Sequence, residues 1–539
     1  NPHNQHDTIF VNDTSIGEVA PFQQGINKQI AVTERDYVCG DNTEYSNYYI
    51  REIILPTSCS QPVGLAIDDD NNIWIAAVWS GQLFVFDSKS NTLIKNISLP
   101  DWGYRGSFGS IIWDMKFDTE GNLWFTDQQS NSIWKYYPET NQFEKYNIPT
   151  IDSYPVSLVF DSQDRVWFTE IFGKKLGLLD PDKVEHNTTK GIKEFELPKD
   201  RVNFATLGPL SITSEETRNK TTTDNNDANN TVNDTLWFST VNYPNDGQLV
   251  KFDTNKENST IYYLNDTKTV PISIIVDNNG TIWTNDHSSN LFVMFNPSTK
   301  EIKQYSTSPA STRNTTTTLP YYNYYYNEKI WFNEHEGNAI ASYDPENKTL
   351  IEYHIQTRNP LWGNTSNPLK FAVDSNGSIW FTEWTENKIG VIKSEKINQL
   401  PIILSTSKDK IVLDSDSVNG KGDTIDLYLY KKIMNNTISS GSSSNTSLLT
   451  NESFYDEDTN INMFVTSSMS KSGQLLNISG TFTQDQFPIS DISFDEPLKI
   501  TLAVNSTSES VAPGNHTLTI SARYGNDITY SKIIDLIIT

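Results

Sequence analysis

Asp374-Ser-Asn-Gly-Ser-Ile-Trp-Phe-Thr-Glu383, followed by Asn387-Lys-Ile-Gly390, is the stretch on which the reading of this chain turns. Asp161-Ser-Gln-Asp-Arg-Val-Trp-Phe-Thr-Glu170 and Gly121-Asn-Leu-Trp-Phe-Thr-Asp127 repeat it. Each copy sits in a longer unit: an apolar strand opened by Pro, a polar Asp turn, the Trp strand, a strand ending near Phe-Asp-Pro, and an aromatic strand. A fixed period of about 40–50 residues points to a propeller. The second-strand tryptophans Trp74, Trp124, Trp167, Trp237, Trp283, Trp331 and Trp380 count seven units. Short alternating strands cannot bury both faces alone, so the units must stack in a ring, with these tryptophans packed between blades.

Tyr49-Ile-Arg-Glu-Ile-Ile-Leu-Pro56 has the pattern of an outer strand, and the seventh unit lacks one. The N-terminal strand 49–55 is therefore expected to close blade seven and remove a free sheet edge. Unit four carries a polar insertion between Ile212 and Leu236, read as an exposed loop. Beyond about Leu400 the tryptophans stop, and strands such as Thr424–Tyr430, Leu498–Val504 and His516–Ala522 read as a separate β-sandwich. The expected fold class is thus all-β: an arm over 1–47, a seven-bladed β-propeller over 48–398, and a sandwich over 399–539.

The chain has 539 residues and a formal charge of −26. A nucleic-acid partner is not expected, because no basic patch offsets that charge. No run reaches the roughly 18 apolar residues of a membrane-spanning helix. Cys39 and Cys59 are the only cysteines; a bond between them would close a loop of about 20 residues and contribute roughly 3 kcal/mol. It would also imply an oxidising compartment. Nineteen N-x-S/T sequons strengthen that reading: Asn12, Asn96, Asn187, Asn219, Asn229, Asn233, Asn258, Asn265, Asn279, Asn314, Asn347, Asn364, Asn376, Asn435, Asn445, Asn451, Asn477, Asn505 and Asn515. An acidic chain so rich in sequons suggests a secreted glycoprotein of a cell surface, of the archaeal envelope type.

Over roughly residues 49–395 the Trp-Phe-Thr-Glu phrases closely resemble the virginiamycin B lyase (streptogramin lyase) family. The stretch Val511–Ala522 resembles the penultimate hairpin of immunoglobulin-like (Ig-like) domains of surface proteins. The lyase resemblance implies elimination from a cyclic depsipeptide lactone, with a divalent metal, histidines just after the blade-start prolines, and a glutamate on the next strand. The blade-start positions here hold Val63, Trp113, Val156, Leu210, Ile272, Tyr321 and Leu369, none of them histidine. No general base of suitable pKa is then expected at the channel mouth.

Three residues beyond the marker tryptophans lie Asp127, Glu170, Asp286, Glu334 and Glu383. Carboxylates at one level of a ring would raise one another's pKa or gather a hard cation, Ca²⁺ or Mg²⁺, in the central channel. His287, His335 and Glu336 suggest a second metal or acid-base site, although alternation turns the histidines away from the carboxylates into loops. His3 and His6 follow a Pro2 that cannot supply a deprotonated amide for a copper chelate. The expectation is a non-catalytic surface protein whose partners are other surface proteins, N-linked glycans or copies of itself. A surface-layer or filament subunit and a lyase with a remodelled site are the alternatives.

Overall fold

A computed structural model describes residues 39–40, 42–101, 111–197, 206–215, 234–242, 246–310, 317–415, 422–432, 456–469, 477–507, 511 and 513–539. The expected strand near Asp7–Asn12, His3 and His6, the unit-four insertion, and the sequons at Asn12, Asn219, Asn229, Asn233, Asn314, Asn435, Asn445 and Asn451 lie outside these residues. The described chain is almost entirely β-strand.

Seven antiparallel sheets follow one another along the chain. Sheet one is Pro62–Ile67, Asn72–Ala77, Gln82–Asp87 and Thr92–Ser98. The second strands of the others are Leu123–Asp127, Val166–Glu170, Thr235–Asn242, Ile282–Asp286, Lys329–Glu334 and Ile379–Glu383. The first strands lie beside one another in series, from sheet one through sheet seven, and that of sheet seven, Pro368–Val373, lies beside Pro62–Ile67. Ile50–Ile54 pairs antiparallel with Lys388–Ile392 as the fourth strand of sheet seven, Glu52 opposite Gly390.

The repeated Asp turn explains why the tryptophan strand forms where it does. In sheet five, Asp277 accepts the Thr281 amide at 3.0 Å through one oxygen and the Trp283 indole N–H at 2.9 Å through the other. The same double acceptance holds for Asp68, Asp118, Asp161 and Asp374. Sheet four uses Glu215 on Trp237, and sheet six has Tyr325 at that position and leaves the buried Trp331 N–H without a partner. With its N–H satisfied, each indole can be buried against the next sheet. Trp124 clusters with Leu158, Val166 and Phe168, and Trp380 of sheet seven with Ile73, Ile75 and Phe84 of sheet one. Replacing Asp277 with Ala should cost about 2–3 kcal/mol, since it strands a buried indole N–H and turn amides; equilibrium denaturation checks this, and an unchanged midpoint would contradict it.

Asparagines in the turns tie sheet to sheet. The Asn131 side-chain oxygen accepts from the amide and hydroxyl of Ser153, both at 2.8 Å. Asn338 does the same for Ser366, and Asn387 for Ser60, which links sheet seven to sheet one. Beside that link, Cys39 and Cys59 form a disulfide.

The C-terminal strands do not stand apart, as a separate sandwich would. Ile528–Ile538 pairs antiparallel with Thr349–His354, the fourth strand of sheet six, so one continuous sheet runs on through Gly514–Tyr524, Asn460–Ser467 and Gln486–Pro488. A four-stranded sheet, Ile402–Thr406, Asp423–Lys431, Leu498–Ser506 and Ile478–Phe482, packs on it through Leu427, Leu502, Leu518 and Leu536. That core also takes in Trp331, Tyr353 and Phe371 from sheets six and seven. The physical reason lies in Thr349–His354, which is buried at five of its six residues, whereas Thr92–Ser98 of sheet one is exposed along almost its whole length.

Candidate functional site

Proline at the head of a first strand removes one ladder hydrogen bond, and the pairing slips directly after it. In sheet three Pro155 faces Glu170, and the register then shifts before Leu158; the same irregularity follows Pro62, Pro271, Pro320 and Pro368. The residues after these prolines, with Trp113 and Leu210 at the matching positions of sheets two and four, gather at one common point. Val63, Trp113, Val156, Leu210, Ile272, Tyr321 and Leu369 are all buried, and all belong to a single apolar cluster with Val78, Ile171 and Val241. Where the lyase resemblance implies imidazoles, the mouth is filled by hydrocarbon and aromatic rings.

Around this plug runs an aromatic rim. His287 and His335 lie with ring centroids 5.8 Å apart, Tyr321 is 5.1 Å from His287, and Trp384 is 5.9 Å from His335. Trp362 continues the row 6.0 Å beyond Trp384. Each histidine sits in the turn that follows its second strand, and the two turns bring the rings together at the rim. Trp79, Trp113, Trp362 and Trp384 are also at the mouth. The signal was present in the sequence: these four tryptophans fall outside the seven-fold count. Both histidines are buried.

The five carboxylates are buried at the ends of their second strands. They do not converge on one cation site: among the described residues no group of three His, Cys, Asp or Glu could hold a metal. Asp127 accepts from the Ser130 hydroxyl and the Trp134 indole, at 2.5 and 2.9 Å. Asp286 accepts from the Val270 amide and from both Ser288 and Ser289 hydroxyls. The three glutamates instead meet a second glutamate on the fourth strand of their own sheets. Burial, and then Glu194, push Glu170 up to about 8, with Lys175 opposing. Burial and Glu352 hold Glu334 well above the carboxylate range, and burial and Glu52 do the same for Glu383. Each is therefore shifted toward the protonated acid, and each is sealed from solvent.

The second glutamates hold the hydrogen bonds and the cations. Glu194 accepts the amide and hydroxyl of Thr150, each at 2.8 Å, and pairs with Lys175 at 2.8 Å. Glu52 accepts the Thr357 hydroxyl at 2.7 Å and the Tyr45 amide at 2.9 Å, and pairs with the fully buried Lys388 at 3.3 Å. Gly177 and Gly390, opposite Glu194 and Glu52, lie under Phe168 and Phe381 so closely that a Cβ would fall about 2 Å from the ring. Sequence reading located the first glutamate of each pair and missed the second, which comes from a strand without the Trp motif.

One further charged group was not anticipated. Asp114 accepts the Leu158 amide at 3.0 Å, with Lys116 and Lys370 at 3.5 and 3.8 Å. Burial alone would raise its pKa, yet the two lysines hold it below the ordinary range. The Lys370 ammonium also sits 4.0 Å from the centre of the Tyr322 ring. The triad is a buried ion cluster in which two lysines face one carboxylate.

The virginiamycin B lyase family model matches residues 46–214. No curated protein matches the chain. Among solved structures, a catalytically inactive virginiamycin B lyase from Staphylococcus aureus with quinupristin is 20% identical, covering 64% of this chain and 98% of that one, with a TM-score of 0.50. A streptogramin B lyase structure is 23% identical over 64% of this chain and 96% of that one, with a TM-score of 0.49. At this identity the likeness is one of fold.

Proposed function

We propose that this chain is a non-catalytic, N-glycosylated extracellular or cell-surface protein. In this reading its seven sheets are the blades of a β-propeller closed by strand 49–55, and an Ig-like sandwich is fused to blade six as an assembly module. The observation that carries the reading is the plug: all seven blade-start side chains are apolar or aromatic and buried in one cluster, and His287 and His335 stand beside Tyr321 rather than at a blade start. Elimination chemistry needs a base of suitable pKa in reach of substrate and a group that stabilises developing charge. The acids at the ends of the second strands are instead buried, raised in pKa by that burial and by a second glutamate, and beside Lys175 or Lys388 in two of the three sheets.

Support for an extracellular location comes from the disulfide, which persists in oxidising compartments. Asn96, Asn187, Asn258, Asn279, Asn347, Asn364, Asn376, Asn477 and Asn515 are exposed, as glycan acceptors must be, and Asn505 is half-buried. Assembly into a layer or filament is a second reading, favoured by the exposed fourth strand of sheet one with Leu93 and Ile94 open to solvent; electron micrographs of native material distinguish polymers from monomers.

The metal-dependent alternative is tested by melting. A tightly held divalent ion stabilises by about 2.7 kcal/mol at a hundredfold excess over Kd. The expected result is one melting temperature in calcium, in magnesium and in chelator; a rise with either ion that chelator reverses would overturn the non-catalytic reading.

A further inference from the structure

The glutamate pairs of sheets three, six and seven are built to one plan. In sheet three, Glu170 faces Lys175 across the ladder, and Glu194 lies opposite Gly177 two residues further on. In sheet seven, Glu383 faces Lys388, and Glu52 lies opposite Gly390. Each lysine donates at 2.8 Å to the hydroxyl of a threonine that follows the preceding sheet, Thr150 or Thr357. That same threonine donates to the fourth-strand glutamate. Lysine, hydroxyl and glutamate thus form a three-membered tie between neighbouring sheets.

Sheet six keeps the carboxyl pair and the backbone donor to it, but has neither the cation nor the hydroxyl bond to the fourth-strand glutamate. Glu334 faces Ala339 where the others face lysine, and Glu352 lies opposite Ala341. Ser308, which follows sheet five, donates its amide to Glu352 at 3.1 Å as Thr150 does to Glu194. A buried carboxyl pair with no cation is strongly unfavourable. The missing donor arrives from the C-terminal strand Gly514–Tyr524: the Arg523 guanidinium donates to the Ser308 hydroxyl at 2.9 Å and to the Pro309 carbonyl at 2.5 Å. Its Nε donates to Thr529 at 3.0 Å, and it stacks 4.6 Å from the centre of the Phe464 ring.

We infer that Arg523 is the cation of sheet six, supplied in place of the lysine that position 339 lacks, and that it locks the C-terminal unit to the seven-sheet unit as one body. The field of Arg523 reaches both carboxyls, opposing the upward push of burial on Glu334, and both glutamates in turn hold the proton on Arg523 against its own burial. Backbone pairing between Thr349–His354 and Ile528–Ile538 sets the strand in register, and the arginine makes the seam specific. This goes beyond the proposed function and holds whether or not the protein has an activity.

The test is a swap in the full-length chain: Arg523→Met, Ala339→Lys and the double variant, followed by calorimetry and by protease cleavage of the connecting segment 393–401. Arg523→Met is expected to split unfolding into two transitions and to speed cleavage of that segment at least tenfold. The double variant should regain the upper transition, because the introduced lysine supplies the charge from within the sheet, while cleavage stays fast because the lock is still missing. Unfolding of Arg523→Met as a single parental transition would overturn the inference. So would a double variant whose upper transition is no higher than that of Arg523→Met, or one that fails to fold together with Arg523→Met.

Discussion

Stability should be greatest near pH 4–5 and fall steadily into the alkaline range, more steeply than the self-repulsion of an acidic chain with a net charge of −26 alone would make it fall. Glu170 is the clearest cause: burial first, and Glu194 second, raise it from 4.5 to about 8. A carboxyl raised on folding contributes stability that is fully present below its unfolded pKa and lost as pH climbs through its folded one. The window therefore runs from about pH 4.5 to about pH 8, and at 1.36 kcal/mol per unit the loss from Glu170 alone is about 3–5 kcal/mol. Glu334 and Glu383 are raised by the same causes and add to the fall in the same direction. On the acid side, Asp114 is held below the ordinary range despite its burial, by Lys116 and Lys370, so its contribution disappears as pH drops below about 4. Denaturant midpoints from pH 3 to pH 9 should trace this dome, and Glu170→Gln should flatten its alkaline side; a profile that rises from pH 5 to pH 8 would contradict the assignment.

The second large effect is expected from Lys388→Met. Lys388 is fully buried, donates to Thr357 and faces Glu52, so it joins the N-terminal strand to sheets six and seven at once. Removing one member of a buried ion pair costs about 3–5 kcal/mol, because the other charge is left uncompensated. At about 2–4 °C per kcal/mol for large domains, the melting temperature at pH 8 should fall by roughly 6–20 °C. Lys183→Met provides the control: its partner Asp180 is reached at 2.6 Å, but the lysine is 73% exposed, and such surface pairs are worth under about 1 kcal/mol. Equal losses for the two variants would remove the special role given to Lys388.

What was legible in the sequence was whatever the repeat carries locally. The Trp-Phe-Thr-Glu strands, the Asp turn six residues before the indole and the pattern of strand 49–55 all depend on contacts within a few residues or along one ladder. The disulfide followed from the cysteines being two and close together. The mouth was legible in composition, because Val63, Leu210 and the other blade-start residues are visibly not histidine. It was not legible in arrangement, since His287, His335, Trp362 and Trp384 meet only once separate turns are folded to one end. The carboxylate positions were found, and a mutual rise in pKa was expected, but from one another rather than from partners within each sheet. A glutamate at the end of a strand does not reveal that Glu52, Glu194 or Glu352 will lie beside it, because these come from fourth strands with no shared phrase. The reach of the C-terminal unit was hidden for a related reason: Arg523 lies in a segment without tryptophans, and Ala339 looks like ordinary variation until it is seen to occupy the place of a lysine.

Ring opening tests directly the proposal that this lyase-like fold carries no lyase site. Purified, metal-supplemented protein incubated with a streptogramin lactone is expected to leave the depsipeptide intact by mass spectrometry, at every pH from 5 to 8. Metal-dependent appearance of the linear elimination product, abolished by Glu383→Gln in protein that remains folded, would contradict the account.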